Sequence, residues 1–230
     1  MQITRCLIEA YLDCKYRAHL LAEGNRGDPH DLEVVEAELQ GAYRERAADV
    51  LLRKCVKSPE AVASAFTNID IHSGPQLILG PTVEDGQTAF EFDALRRVDG
   101  ESSIGRFHYS PVLFWQGETL GRNQTLLMAA GGIILSRHQR VQPTTATVIF
   151  GNECRARTLH LTQHYKVAQQ VLDGLGGDDA PRMILNDHCP LCEFCKQCRD
   201  QAIKTDDLSL LGHMTEKALS KYAQTSAGRK

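Results

Sequence analysis

Four cysteines stand three residues apart at Cys189, Cys192, Cys195 and Cys198, and a fifth, Cys14, lies in the first predicted helix. Thiolates at the spacing of Cys189, Cys192 and Cys198 can wrap one corner of a soft-metal site, with a fourth ligand supplied from wherever the fold brings one near. A structural zinc site generally takes two CxxC knuckles separated by about 12 to 20 residues, each giving half a tetrahedron. The remaining cysteines, Cys6, Cys55 and Cys154, stand singly. That leaves an all-local site of four neighbouring cysteines or a three-plus-one site closed by a remote one. The second arrangement suits an iron-sulfur cube, whose thiolates must spread around an object larger than one ion. Zinc stays open as the alternative, as do incidental CxxC pairs or disulfides.

Composition constrains where such thiols can work. The chain has 230 residues, 42% hydrophobic and 24% charged, with no run of about 18 apolar residues and no charged-then-apolar leader. The expectation is a cytoplasmic protein with no membrane partner. Eight cysteines in a reducing compartment read as thiols and ligands rather than a disulfide framework. A net charge of −3 gives no global basic field, so any nucleic-acid surface must be a local stripe. The available groups are Arg96 and Arg97, Arg137 and Arg140, and Arg155 and Arg157. The single tryptophan, Trp115, offers a base-stacking face if it is exposed, although a lone Trp is more often core.

The elements that must position these residues follow from periodicity and breakers. Residues 4 to 23 predict one helix capped by Thr4 and stopped by Gly24. A second runs from about Asp31 to Lys54, and Ser58-Pro59-Glu60 caps a short third to about Phe66. Residues 76–83, 88–98 and 107–115 predict three strands in meander order, split by Glu84-Asp85-Gly86 and by the turn at Asp99. A long helix from Thr119 to about Val141 is weakened by Gly131-Gly132 and ends before Pro143. Strands at 146–150 and 155–161 follow, then a helix from 162 to 175 opened by a Thr cap, then the cysteine segment. The fold class is α/β with a mixed sheet. One domain is expected over 1–204, with a helical linker or tail over 205–230 that carries two small helices joined at Gly212.

A strand-turn-strand-helix unit with an acidic residue on its second strand resembles the core of a PD-(D/E)XK, restriction-endonuclease-like nuclease. Cys14 in the first helix, together with Cys189-x2-Cys192-x5-Cys198, is similar to the iron-sulfur branch of the RecB-like nucleases, which includes the CRISPR adaptation exonuclease and the nuclease domain of AddB. The resemblance covers about residues 1 to 200. It implies a mixed central sheet flanked by helices and a 4Fe-4S cluster on Cys14, Cys189, Cys192 and Cys198 that joins the two ends of the domain. Cys195 is then a bystander or substitute ligand. The segment from Asp206 to Tyr222 is similar to a linker that leads into further nucleic-acid-processing domains in bacterial RecB-like nucleases.

The family holds Mg²⁺ or Mn²⁺ with an Asp on one strand and a Glu on the next, with a Lys two residues after the Glu. Asp93 matches the Asp. The strand Tyr109-Ser-Pro-Val-Leu113-Phe-Trp115 resembles the family's Tyr-x-Pro-Val-Glu-x-Lys, with Leu113 and Trp115 in place of the Glu and the Lys. Gly41-Ala-Tyr-Arg-Glu45 stands where a helical His is expected, and the following helix keeps Gln124 but has Met128 in place of a Tyr. The expectation is a fold that engages DNA, as single strands or ends, in repair, recombination or defence, with its hydrolysis lost or impaired. Further nuclease or helicase domains or subunits are the implied partners. One alternative is an active exonuclease rebuilt on Asp93 and a migrated Glu118 with Gln124, approached by Glu38 or Glu45. The other is a zinc-stapled interaction domain.

Overall fold

Cys14 interrupts what periodicity reads as one helix. The computed structural model describes residues 2–28, 32–55, 62–64, 71–177, 179–212, 218, 219 and 221. After a two-residue strand, β1 (Ile3–Thr4), come α1 (Arg5–Asp13) and α2 (Lys15–Ala22). Thr4 Oγ1 accepts the Leu7 N–H at 3.3 Å, the cap its type predicts. Cys14 is extended, with φ −158° and ψ 115°, and caps α2 through its sulfur. A thiol is a weak substitute for the Ser, Thr, Asp or Asn usual there, so propensity alone does not explain the break.

The chain divides into two compact units, Met1–Glu9 with Val34–Gly177, and Ala10–Glu33 with Asp178–Lys230. In the first, α3 (Leu32–Cys55) lies close to its predicted bounds. The helix expected over 58–66 falls largely outside the described residues. Within it, Val62–Ser64 form a strand, β2, in parallel with β3 (Leu77–Leu79). The two long predicted strands each divide: 76–83 into β3 and β4 (Thr82–Glu84), and 88–98 into β5 (Thr88–Glu91) and β6 (Ala94–Ser102). Gly80-Pro81 and the bend at Phe92-Asp93 break them. The strands β1, β5 and β4 make a small sheet. A larger mixed sheet runs β2-β3-β6-β7-β8-β9, with β7 Gly105–Trp115, β8 Thr145–Phe150 and β9 Arg155–His160.

The antiparallel β3, β6 and β7 are followed by a crossover through α4 (Arg122–Gln139) into β8, parallel to β7. One face of the sheet packs Leu77, Ala94, Val112, Phe114 and Ile149 against Tyr43, Ala47 and Leu51 of α3. The glycine pair in α4 has a packing reason. A Cβ on Gly131 would come within 2.9 Å of Phe92, and one on Gly132 within 2.8 Å of the Tyr165 hydroxyl at the start of α5 (Tyr165–Leu175). Gln139, fully buried at the end of α4, accepts the Tyr109 N–H at 2.8 Å and donates to the Tyr109 carbonyl at 3.1 Å. Its amide thus stands in for a missing neighbouring strand where β7 runs past β8. No Thr caps α5, which follows a 3₁₀ turn at Thr162–His164.

The second unit holds α2, a 3₁₀ turn at Cys189–Leu191, α6 (Cys195–Lys204) and a further 3₁₀ turn at Leu208–Leu211. Its core is Leu20, Met183, Cys192, Phe194, Cys198 and Ala202. Of the two helices expected around Gly212, the first is this 3₁₀ turn, and residues 213–217 lie outside the described residues. No helix among the described residues is long and apolar enough to cross a membrane.

Candidate functional site

The C-terminal run of cysteines winds as successive tight turns. The Cys192 N–H donates to the Cys189 carbonyl, the Cys195 N–H to the Cys192 carbonyl, and the Cys198 N–H to the Phe194 carbonyl, all at 3.0–3.1 Å. This winding turns Cys189, Cys192, Cys195 and Cys198 toward one cavity, and Cys14, released from helical geometry, lines it as well. Tyr16, Arg17, Met183 and His188 are among the cavity's other walls, and it opens in part to solvent. None of the eight cysteines forms a disulfide. Among the described residues, no three His, Cys, Asp or Glu side chains are spaced to share one metal ion.

The cavity is braced by contacts that need no metal. The Arg17 Nε reaches both oxygens of Glu193 at 2.9 and 3.1 Å, and the Asn186 Nδ2 donates to the Asp13 carbonyl at 3.0 Å. Backbone N–H groups aim at two sulfurs, Arg17 at Cys14 (3.5 Å) and Asn186 at Cys189 (3.2 Å), and the second favours the Cys189 thiolate. Burial works the other way. It pushes the Cys198 thiol up to about 12, with Cys192, Cys189, Cys14 and Cys195 adding to the shift, and the Cys192 thiol up to about 11. Cys189 is raised too, by burial first and against the Asn186 hydrogen bond. These thiols therefore hold protons at neutral pH, and any metal group must displace them.

Asp93 stands at the entry to β6, directly across from Leu113 of β7 by the Ala94–Val112 register. Its side chain is fully enclosed. Arg44 Nη2 of α3 approaches Oδ1 at 2.7 Å and Arg5 Nη1 at 3.2 Å, both ionic contacts that lie off hydrogen-bond direction, while the Phe114 N–H donates to Oδ2 at 2.8 Å. Arg5 is largely buried. Burial opposes its charge, yet Asp93 and Glu9 raise its pKa further above the usual value. Sequence reasoning missed both arginines, although Arg44 lies inside the stretch where a His was sought.

Glu118, Gln124, Arg137 and Arg97 are committed elsewhere. Glu118 precedes α4 rather than starting it. It accepts the Asn152 N–H at 2.8 Å and an Arg155 N–H at 2.9 Å, beside Gly151, whose φ of +72° disfavours a side chain there. Gln124 Oε1 caps α4 by accepting the Gly121 N–H at 2.8 Å. Arg137 pairs with Asp85, whose carboxyl is held at about 2, against burial, by Thr88 and Arg137. Arg97 donates to the Gly74 carbonyl at 2.7 Å and lies over Phe107. Arg96 is half-buried, its Nε without a hydrogen-bond partner among the described residues. Arg140 is exposed in left-handed conformation at the end of α4.

Trp115 is not core: it is 37% exposed. It sits in register with Phe150 of β8, and Phe150 with Arg155 of β9, whose guanidinium lies 4.9 Å from the Phe150 ring centre. The exposed Arg157 lies two residues along the same face of β9. Three strands thus present a Trp-Phe-Arg row at one end of the sheet, legible only once strand register is known. No protein-family model and no curated protein matches the chain.

Proposed function

We propose that the chain is a cytoplasmic iron-sulfur DNA-binding protein of the RecB-like, PD-(D/E)XK nuclease fold, with its hydrolytic chemistry lost, acting on single strands or ends. The observation that carries this reading is the state of Asp93. A divalent ion there would have to displace two guanidinium groups, and Leu113 opposite offers it no oxygen. The antiparallel β3-β6-β7 run with its α4 crossover to β8 supports the fold assignment.

The cysteine cavity fits a 4Fe-4S cluster. Five thiols line it, and two sulfurs receive backbone N–H groups. Cys14, Cys189, Cys192 and Cys198 are the residues that would hold the cluster. Bound, it supplies a covalent closure between the segments that carry them. The Arg17–Glu193 pair and Asn186 position those segments beforehand.

DNA engagement rests on the Trp115-Phe150-Arg155 row with Arg157: an aromatic face for an unpaired base beside cationic groups for phosphate. Arg155 would exchange Glu118 for phosphate. The test is fluorescence anisotropy of a labelled oligothymidylate against anaerobically purified protein. Binding is expected to weaken steeply with salt, and Trp115→Ala to cost about 1–3 kcal/mol, roughly 5- to 160-fold in Kd. Absence of salt-dependent binding, or full affinity in Trp115→Ala, would count against this surface.

A further inference from the structure

The residue before the first clustered cysteine is His188, and it lines the same cavity as the five cysteines. Its Nε2 is buried and has no hydrogen-bond partner among the described residues. Leaving such an atom unpaired costs about 1–3 kcal/mol, and native folds satisfy nearly all of them, so an occupant of the cavity is the natural partner.

Asn186 fixes the backbone that carries the ring. The His188 N–H donates to Asn186 Oδ1 at 3.0 Å, and the same Asn186 directs its own N–H at Cys189 Sγ and its Nδ2 at the Asp13 carbonyl. One short turn therefore carries both a thiol and an imidazole to one wall. The cavity already has five thiols, one more than a cube takes, so the imidazole is not required as a ligand.

Building on the cluster reading above, we propose that His188, in the tautomer with its proton on Nε2, donates a hydrogen bond to the sulfur-rich group held by the thiols. Such a bond draws charge from sulfur and favours the more negative, reduced state, so it raises the reduction potential.

The test uses anaerobically purified wild type, His188→Phe and His188→Gln, the last keeping a side-chain N–H. Iron and acid-labile sulfide are measured, the midpoint potential is titrated, and pulsed EPR is recorded on reduced protein labelled with ¹⁵N-histidine. His188→Phe is expected to keep full iron, shift the midpoint to more negative potential and lose a weak histidine nitrogen coupling. His188→Gln should recover part of the shift. An unchanged midpoint with no nitrogen coupling in iron-loaded wild type would overturn the proposal. So would iron loss in both variants with a strong, directly bonded nitrogen coupling in the wild type, which would make His188 a ligand. Wild type without iron would overturn the cluster reading itself, an outcome that iron analysis alone tells apart.

Discussion

Asp93→Asn is expected to destabilise the protein by about 3 kcal/mol, lowering the melting midpoint by roughly 10 °C. The amide still accepts the Phe114 N–H, so the loss isolates the ion pairs. Arg5, with only 14% of its side chain exposed, would keep Glu9 but lose its enclosed counter-charge. Removing one partner of a buried pair leaves an uncompensated charge, which costs far more than an exposed pair is worth. Arg44, 47% exposed, can turn to water and contributes little to the loss. Thermal denaturation of the two proteins side by side decides it. A midpoint within a degree or two of wild type would mean that Asp93 is not a structural anchor and would reopen its role as a metal ligand.

Serine at Cys14, Cys189, Cys192 or Cys198 is expected to bring iron from about four atoms per chain to below one, while Cys195→Ser keeps most of it. Cys192 and Cys198 sit in the apolar core of the second unit, and Cys14 and Cys189 each receive a backbone N–H. Cys195 is half-buried at the first position of α6. Because the raised Cys198 and Cys192 thiols hold their protons at neutral pH, ligation releases protons, and iron retention against a chelator should fall as the pH drops from 8 to 6. Without the cluster the sign reverses. The buried thiols favour the protonated fold, so their stability contribution is full below the ordinary thiol value near 9 and is lost as pH rises through 11 to 12. Iron lost in Cys195→Ser but kept in Cys14→Ser would replace the three-plus-one site with an all-local one.

The gathering of cysteines was the most legible feature of the sequence because thiol spacing is local, and the turns of 189–198 turn four of them to one cavity with little help from the rest of the chain. Cys14 was named for its type, but its break in the helix was not visible: Leu7, Tyr11, Leu12 and Leu20 keep helical spacing straight through it. His188 had a signal, its adjacency to Cys189. The Asp93 environment was half legible. Leu113 and Trp115 show in the residues themselves that the strand offers no carboxylate or ammonium there, whereas two arginines closing on the carboxylate depend on how α1 and α3 meet β6. The split strands at Gly80-Pro81 and Phe92-Asp93 had breaker residues that were outweighed by apolar runs on either side. Trp115 was misjudged because exposure at a strand end depends on where α4 begins, and α4 begins at Arg122 rather than Thr119.

The proposed reading, a fold that keeps DNA and has lost the chemistry, makes one direct demand. Anaerobically purified protein is incubated with end-labelled single- and double-stranded DNA and Mg²⁺ or Mn²⁺, beside Glu118→Gln, a substitution at an exposed side chain that leaves the Asp93 pairs intact. Retarded but uncut DNA in both samples is the predicted result. Metal-dependent cleavage by the wild type that disappears in Glu118→Gln would contradict it and show an active site rebuilt around that carboxylate.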